Sequence, residues 1–533
     1  MKYIALVLLV SNTAFANFIV KKSIVDNKEI VESVRAVNFE VKKITTLKSI
    51  ESFIAEKDKM RPSLYQEIAY PKNLLPKKYL KFQNEKKSFW AGSEVREIVK
   101  TGDDNNRITI TVLGDGYTEL EKKKYFDDVN RMVDDLFKEI TFKSYLPLFN
   151  IYAVFTPSEQ SGISDLTTKR TAFDLYRSPK GSKRGIMPGN KSAIEKALDL
   201  IPSHTDYPII IANDDYYGGL GGRYAITTRS KTSGSMVLRH ELGHNFSNVG
   251  EEYDGGQVYS GANFSSSSNV PWKEWIKGSN VSVNNAKFLT GSYVWQDLTK
   301  KDFEIKFNFP SSGDFTYALK LSSVGWEGVD DVRVFLDGQK LELNGVYTKD
   351  RSFFRTKRVA ISSGSHQIKI QDHNHDGDNV LAYANGYAYP KGYDFTPGKV
   401  GAFNVFADGG RERGYRPTHN KCLMRDMRSK VFCSVDQENI WLRFLSRINL
   451  IDKVSEKNGI YTLTLLDIQK IDIRWFKKKG WSSFEEITEL AGKLSVDLKK
   501  YGKGKYEARA SFSHPEIRKK SDNTKDTREI RVR

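Results

Sequence analysis

The run HELGHNFSNVGEEYD, from His240 to Asp254, sets two histidines four residues apart and is followed by two adjacent carboxylates, Glu251 and Glu252. Residues i and i+4 share one face of an α-helix, so His240 and His244 would aim both imidazoles at a single Zn2+. Glu241 is displaced around the same helix and can reach a zinc-bound water. Zinc lowers the pKa of such a water towards ~7, and a neighbouring carboxylate takes its proton so that hydroxide attacks a polarised carbonyl. That is peptide hydrolysis without a covalent intermediate, with Glu241 as the catalytic base. A catalytic zinc also needs a third protein ligand and an open fourth position. If the helix ran on, Glu251 would lie on the face of His244; if the chain turns at Gly250, where glycine tolerates positive φ, either Glu251 or Glu252 can swing back. The plain alternative is a pair of surface histidines on an amphipathic helix.

The helix must be held by something. Ser233 or Ser235 can cap its start, and Met236, Val237 and Phe246 give it an apolar face. Upstream, RITITVLGDGY reads as a buried strand, Thr118 to Phe137 as an amphipathic helix, NIYAVF and YPIIIAN as two further strands, and KSAIEKALDLI as a helix between them. Strands alternating with helices predict an α/β (α+β) domain with a mixed sheet. The Gly-rich YYGGLGGRYAITT stands just before the metal helix; Gly218 and Gly219 there would let a substrate backbone approach. No GK[ST] follows, so it is not a phosphate loop. From about 295 to 390 short alternating runs separated by Gly, Ser and Asp predict an inserted β-sandwich, and similar runs follow after 454. The expected organisation is a strand-rich region at 17–100, a peptidase domain at 101–290 and 396–453, an inserted β-sandwich at 291–395 and a C-terminal β-sandwich at 454–533.

MKYIALVLLVSNTAFA has one Lys, a short apolar run and an A-F-A end, the pattern of a signal peptide over 1–16. The protein is therefore expected outside the cell, or in a periplasm, without a transmembrane segment. Its two cysteines, Cys422 and Cys433, can then form one disulfide. The net charge of +18 is spread along the whole chain with no basic arm, which argues against nucleic acid. Asp372, Asn374, Asp376 and Asp378, with Gly377 between the last two, resemble the first half of a calcium loop. Tyr383 stands where the closing acid belongs, so a helix-loop-helix calcium hand is excluded and Ca2+ in the β region is the remaining expectation. Trp326 and Trp481 are candidate stacking platforms for glycan.

Taken in order, LGDGYT, PSEQSGISD with TAFDLY, the YGG of Tyr217 to Gly219, HELGH with EEY, WKEWI and GYRPTHNKCLM resemble the bacterial immunoglobulin A peptidase family of zinc metallopeptidases, relatives of the metzincins. The resemblance implies a metzincin-like zinc peptidase fold and an extracellular protein or glycoprotein substrate, and a monomer is expected. The family's D-E-Y stands here as Glu251-Glu252-Tyr253, which with the helical face favours Glu251 as third ligand. It also implies that Met424 forms a hydrophobic floor beneath the metal, on a turn pinned by Cys422 and Cys433; a further family cysteine after F-C is absent in FCSVD. Tyr253 and Tyr415 are candidates for stabilising an oxyanion. The rival from another class is a secreted glycan- or protein-binding adhesin with a relict zinc site, which the intact Glu241 argues against.

Overall fold

The computed structural model describes residues 17–25, 28–37, 64–71 and 92–533, apart from 179–183, 256–258, 279, 293, 312 and 482. The signal peptide expected at 1–16 lies outside the described residues. Asn17–Val25, Lys28–Val37 and Leu64–Pro71 form an antiparallel three-stranded sheet.

The metal helix rests on a six-stranded sheet. Its strands are β1 (Glu94–Val99), β2 (Ile108–Asp115), β3 (Phe149–Phe155), β4 (Tyr207–Ala212), β5 (Gly219–Leu220) and β6 (Ala225–Thr228), in the spatial order β5-β6-β4-β2-β3-β1. The four inner strands are parallel, and the edges β5 and β1 are antiparallel. Every residue of β2 and β3 is buried, because helices cover both faces, and this is why both strands read as unbroken apolar runs. Helix α1 (Lys122–Val133) covers one face, where the Tyr125 hydroxyl donates to the carbonyls of Val112 and Val154 and ties β2 to β3. Helix α2 (Lys191–Leu198) covers the other, against Leu113, Tyr152 and Ile210. Helices α3 (Gly234–Phe246) and α4 (Ser434–Leu445) join α1 on the first face.

The remainder is β-structure. Between β6 and β7 (Val400–Phe406), one antiparallel sheet built around Phe315–Val324 and Val380–Pro390 faces another built around Phe303–Phe309 and Gly364–Asp372. Their shared core holds Trp326, fully buried, so it packs and offers no platform to a glycan. Trp481 is exposed. After β8 (Glu412–Thr418) and α4, two further antiparallel sheets bring Trp475, Tyr506 and Phe512 into the same apolar cluster as β2 and α3. A mixed sheet with few helices beside several all-β sheets is the architecture expected in outline. No helix among the described residues is long and apolar enough to cross a membrane.

Candidate metal centre

Helix α3 ends at Phe246, and Ser247 is already extended at φ −133° and ψ 170°. The chain thus leaves the helix three residues earlier than at Gly250, which takes no left-handed φ. Asn263 brackets Gly250 instead, accepting from its N–H at 2.9 Å and donating to its carbonyl at 3.1 Å. This path carries Glu251 back to the helix. Glu251 Oε1 lies 3.0 Å from His244 Nε2, and Oε2 lies 3.3 Å from His240 Nε2. One ligand atom from each of the three lies within 4.8 Å of the others. The His244 Nδ1 donates to the Val249 carbonyl at 3.1 Å, the kind of outer partner that orients a ligating imidazole and leaves Nε2 facing inward.

The electrostatics fit a cation at this point. Burial would lower the pKa of His240, but the Glu251 carboxylate outweighs it and raises the value to about 9. Burial would raise Glu251, but His240 and His244 outweigh it and hold the value at about 2. Glu251 Oε2 is buried and has no well-aligned hydrogen bond. Two imidazoles and an anionic carboxylate with a spare oxygen form a donor set that zinc accepts.

Glu241 lies beside this trio, and burial raises its pKa against the pull of both histidines. Its carboxylate rests on bare backbone: a Cβ on Gly221 would stand 2.0 Å from Glu241 Oε2. A second glycine does similar service under the helix. A Cβ on Gly243 would stand 2.9 Å from Met424 Sδ and 2.8 Å from Phe432 Cε1. Met424 is therefore packed against the helix, fully buried, and its carbonyl accepts from the Glu252 N–H at 3.1 Å.

The helix start differs from expectation. Ser233 occupies the N-cap position, but its hydroxyl makes no capping bond. It donates to Asp350 Oδ2 at 2.5 Å, and Ser230 Oγ donates to the same oxygen at 2.6 Å. Asp350 belongs to the inserted β region.

A cleft of about 310 Å3 opens on His240, Glu241 and Glu251. Gly219 and Gly221 line it along the sheet edge at β5, as does Tyr253, whose ring centroid is 6.3 Å from that of His240. Gly218 sits just behind, against Arg177 and Ile186. Tyr415 does not line the cleft; its backbone pairs with Ser265 in both directions, at 2.7 and 3.0 Å. Sequence reasoning missed the basic side chains that line the cleft: Arg184, whose carbonyl accepts from the Gly219 N–H of β5, and Lys320, Arg351, Arg355, Arg425 and Arg428, with burial holding the Lys320 amine well below the usual lysine range. Arg351 is buried with Nε and Nη1 unpartnered, its guanidinium 4.5 Å from the Trp295 ring centroid. Beneath the cleft, Asp254 is fully buried and accepts from Arg425 at 2.6 Å, Arg416 at 3.2 Å and the Tyr387 hydroxyl at 2.8 Å.

Glu252 points away from the histidines, into a buried group with Cys422, Cys433 and Asp436. The expected disulfide is not formed, since both cysteines are free. Each sulfur faces a carboxylate: Cys422 Sγ lies 3.1 Å from Asp436 Oδ2, and Cys433 Sγ lies 3.8 Å from Glu252 Oε1. The calcium expectation finds no support either. The Asn379 amide donates to Asp372 at 2.9 Å, to Asn374 at 2.8 Å and to Asp376 at 3.4 Å, so an amide nitrogen sits among these three side chains; Lys349 stands 3.5 Å from Asp378 Oδ2, while Asp378 Oδ1 is buried without a hydrogen-bond partner.

Residues 96–316 match the family model IgA Peptidase M64, in agreement with the motif resemblance. The match runs from β1 through α3 and Glu251 into the inserted sheets, and a family of this kind implies a metallopeptidase. No curated protein matches the chain. Among solved structures, a Paenibacillus sp. cycloisomaltooligosaccharide glucanotransferase complexed with cycloisomaltoheptaose aligns with 61% of this chain at 11% identity and a TM-score of 0.15. The chain covers 48% of that structure's length, and a likeness this slight bears on neither fold nor function.

Proposed function

We propose that the chain is an exported zinc metalloendopeptidase with a metzincin-like catalytic domain, acting on extracellular protein or glycoprotein. His240, His244 and Glu251 would hold the zinc, and Glu241 is the general base. The observation that carries this reading is the convergence of two imidazole Nε2 atoms on one half-buried carboxylate, with a second carboxylate set beside them in an open cleft. Zinc, when bound, supplies a Lewis acid that polarises the peptide carbonyl and acidifies water.

The chain's own residues do the rest. Glu241 accepts the water proton on its carboxylate and returns it to the leaving amine, a task suited to an acid whose pKa is raised towards the working range. On the edge strand β5 the Gly219 N–H already donates to the Arg184 carbonyl at 3.0 Å, so an extended peptide can add as a further strand beyond it, where Leu220 and Gly221 line the cleft. The Tyr253 phenol is held protonated by burial and by the neighbouring Glu251 charge, so it can donate to a developing oxyanion. Export rests on the N-terminal sequence, and the domain limits given above are proposed with it.

Zinc analysis beside a gelatin or casein assay tests the reading on wild-type protein and Glu241→Ala. Wild type should hold zinc and cut; Glu241→Ala should keep the zinc and lose cutting. Wild-type protein without zinc, or equal digestion by both, would refute the mechanism and favour the adhesin-like alternative.

A further inference from the structure

Behind the proposed catalytic trio lies a second closed group of metal-ligating side chains: Glu252, Cys422, Cys433 and Asp436. One ligand atom from each lies within 4.8 Å of all the others. The separations include 3.1 Å from Cys422 Sγ to Asp436 Oδ2, 3.5 Å from Cys422 Sγ to Glu252 Oε1 and 3.8 Å from Cys433 Sγ to Glu252 Oε1. A tetrahedral zinc bound through sulfur at ~2.3 Å and oxygen at ~2.0 Å separates its ligands by roughly 3.3 to 3.8 Å. These three separations stand at about that spacing, and the other pairs lie within 4.8 Å.

Burial leaves the group short of polar partners. Glu252, Cys422 and Asp436 are 0% exposed and Cys433 is 4% exposed. Glu252 Oε2 and Asp436 Oδ1 have no hydrogen-bond partner, and an unpartnered buried carboxylate oxygen is costly. The nearest guanidinium groups are committed elsewhere. Arg416 and Arg425 pair with Asp254, and Arg425 reaches only the backbone carbonyl of Glu252, at 3.4 Å.

We propose that Glu252, Cys422, Cys433 and Asp436 form a second, structural site for a thiophilic divalent cation, zinc foremost. Four protein donors leave no open position, which distinguishes a structural zinc from a catalytic one. Binding displaces every proton held on the four donors, those of the thiols and any on the buried carboxyls, to solvent, so the cation is held by two thiolates and two carboxylates. The donors come from the elements that shape the first centre: Glu252 follows Glu251, Cys422 lies two residues before Met424, and Cys433 and Asp436 open α4. The cation would clamp the segment after α3 to the turn beneath it and to α4. A Cys422–Cys433 disulfide is the competing use of the same sulfurs, and it excludes the metal.

The test uses the full chain purified without reductant or chelator. Zinc per chain is measured, thiols are counted after unfolding in chelator, and zinc is exchanged for Co2+. The expected results are two zinc per chain, two reactive thiols and a near-ultraviolet thiolate-to-cobalt charge-transfer band. His240, His244 and Glu251 contain no sulfur and cannot give that band. Asp436→Asn and Cys433→Ser should each lose one zinc equivalent together with the band, whereas a His240→Ala/His244→Ala variant should lose one equivalent and keep it. A band with a single zinc would uphold this site and count against the catalytic one. Unfolded protein without reactive thiols and two hydrogens lighter in mass, or cobalt-loaded wild type with free thiols and no band, overturns the proposal. Should Cys433→Ser not fold, the wild-type cobalt spectrum decides alone.

Discussion

A methyl group on Gly221 would stand 2.0 Å from Glu241 Oε2, so Gly221→Ala must displace the base while leaving the imidazoles in place. A shift of about 1 Å in a catalytic group can lower turnover by roughly 100-fold, and that is the loss expected in kcat/KM, with zinc content unchanged. Peptidase assays run beside metal analysis check it; normal turnover would mean that the contact is irrelevant. The pH profile reports on the same carboxylate. Glu241 must be deprotonated to act, and burial raises its pKa, so activity should be held above that pKa and lost as pH falls through it. The acidic limb is expected above the ordinary glutamate value of ~4.3, and a limb at or below it contradicts the assignment. His240, Glu241 and His244 were legible in the sequence because a spacing of four encodes one helix face. Glu251 was favoured over Glu252 from a continued helical face and the family's D-E-Y, but the route that brings it to the histidines was not legible, since it depends on the helix stopping at Phe246 and on Asn263 holding the return, neither of which has a local sequence signal.

At the scale of elements, the segment after α3 is fixed by Asp254, which binds Arg425, Arg416 of β8 and Tyr387 of the inserted sheets. Burial would raise the pKa of Asp254, but Arg425 and Arg416 outweigh it and hold the value at about 2. A depressed folded pKa gives stability that is fully present above the unfolded value of ~3.9 and is lost as pH falls through the folded one. The contribution is on the order of 2 kcal/mol, and urea midpoints should stay level from neutral pH to about pH 5 and fall between about pH 4 and 2. Asp254→Asn, which strands two buried guanidinium groups, should cost about 3 to 5 kcal/mol at neutral pH by the same measurement. A drop below about 1 kcal/mol would show that the network is not paired in solution. The long elements β2, β3 and α1 were readable from apolar period and length. Strand β5 is two residues long and invisible to any period; only its glycines marked it. Cys422 and Cys433 were read as a pair because sequence shows proximity along the chain, whereas the fold turns each sulfur towards a carboxylate.

At the scale of the molecule, one apolar cluster runs from β2 to the last strand, while the inserted sheets keep a core of their own. Trp441 of α4 packs against Phe512 at 5.2 Å between ring centroids and donates to Glu516 at 2.7 Å. Removing residues 454–533 should therefore expose the floor under α3 and α4, and the shortened chain is expected to lose cooperative unfolding and zinc together. A truncated protein with an unchanged melting curve would show that the C-terminal sheets are dispensable. The sequence showed the net charge of +18 as evenly spread, and evenly spread it is along the chain. In space, Lys320, Arg351 and Arg355 of the insert come together with Arg184, Arg425 and Arg428 around the cleft, a convergence that only the assembled fold creates. The insert is thus the stretch on which a lineage could change what the cleft accepts without touching the histidines. Such exchange has one fixed toll: Oδ2 of Asp350 receives the hydroxyls of both Ser230 and Ser233 at the root of α3. Any graft that supplies a new wall must also return an acid to that spot, so inheritance of recognition and of chemistry is joined through a single oxygen atom.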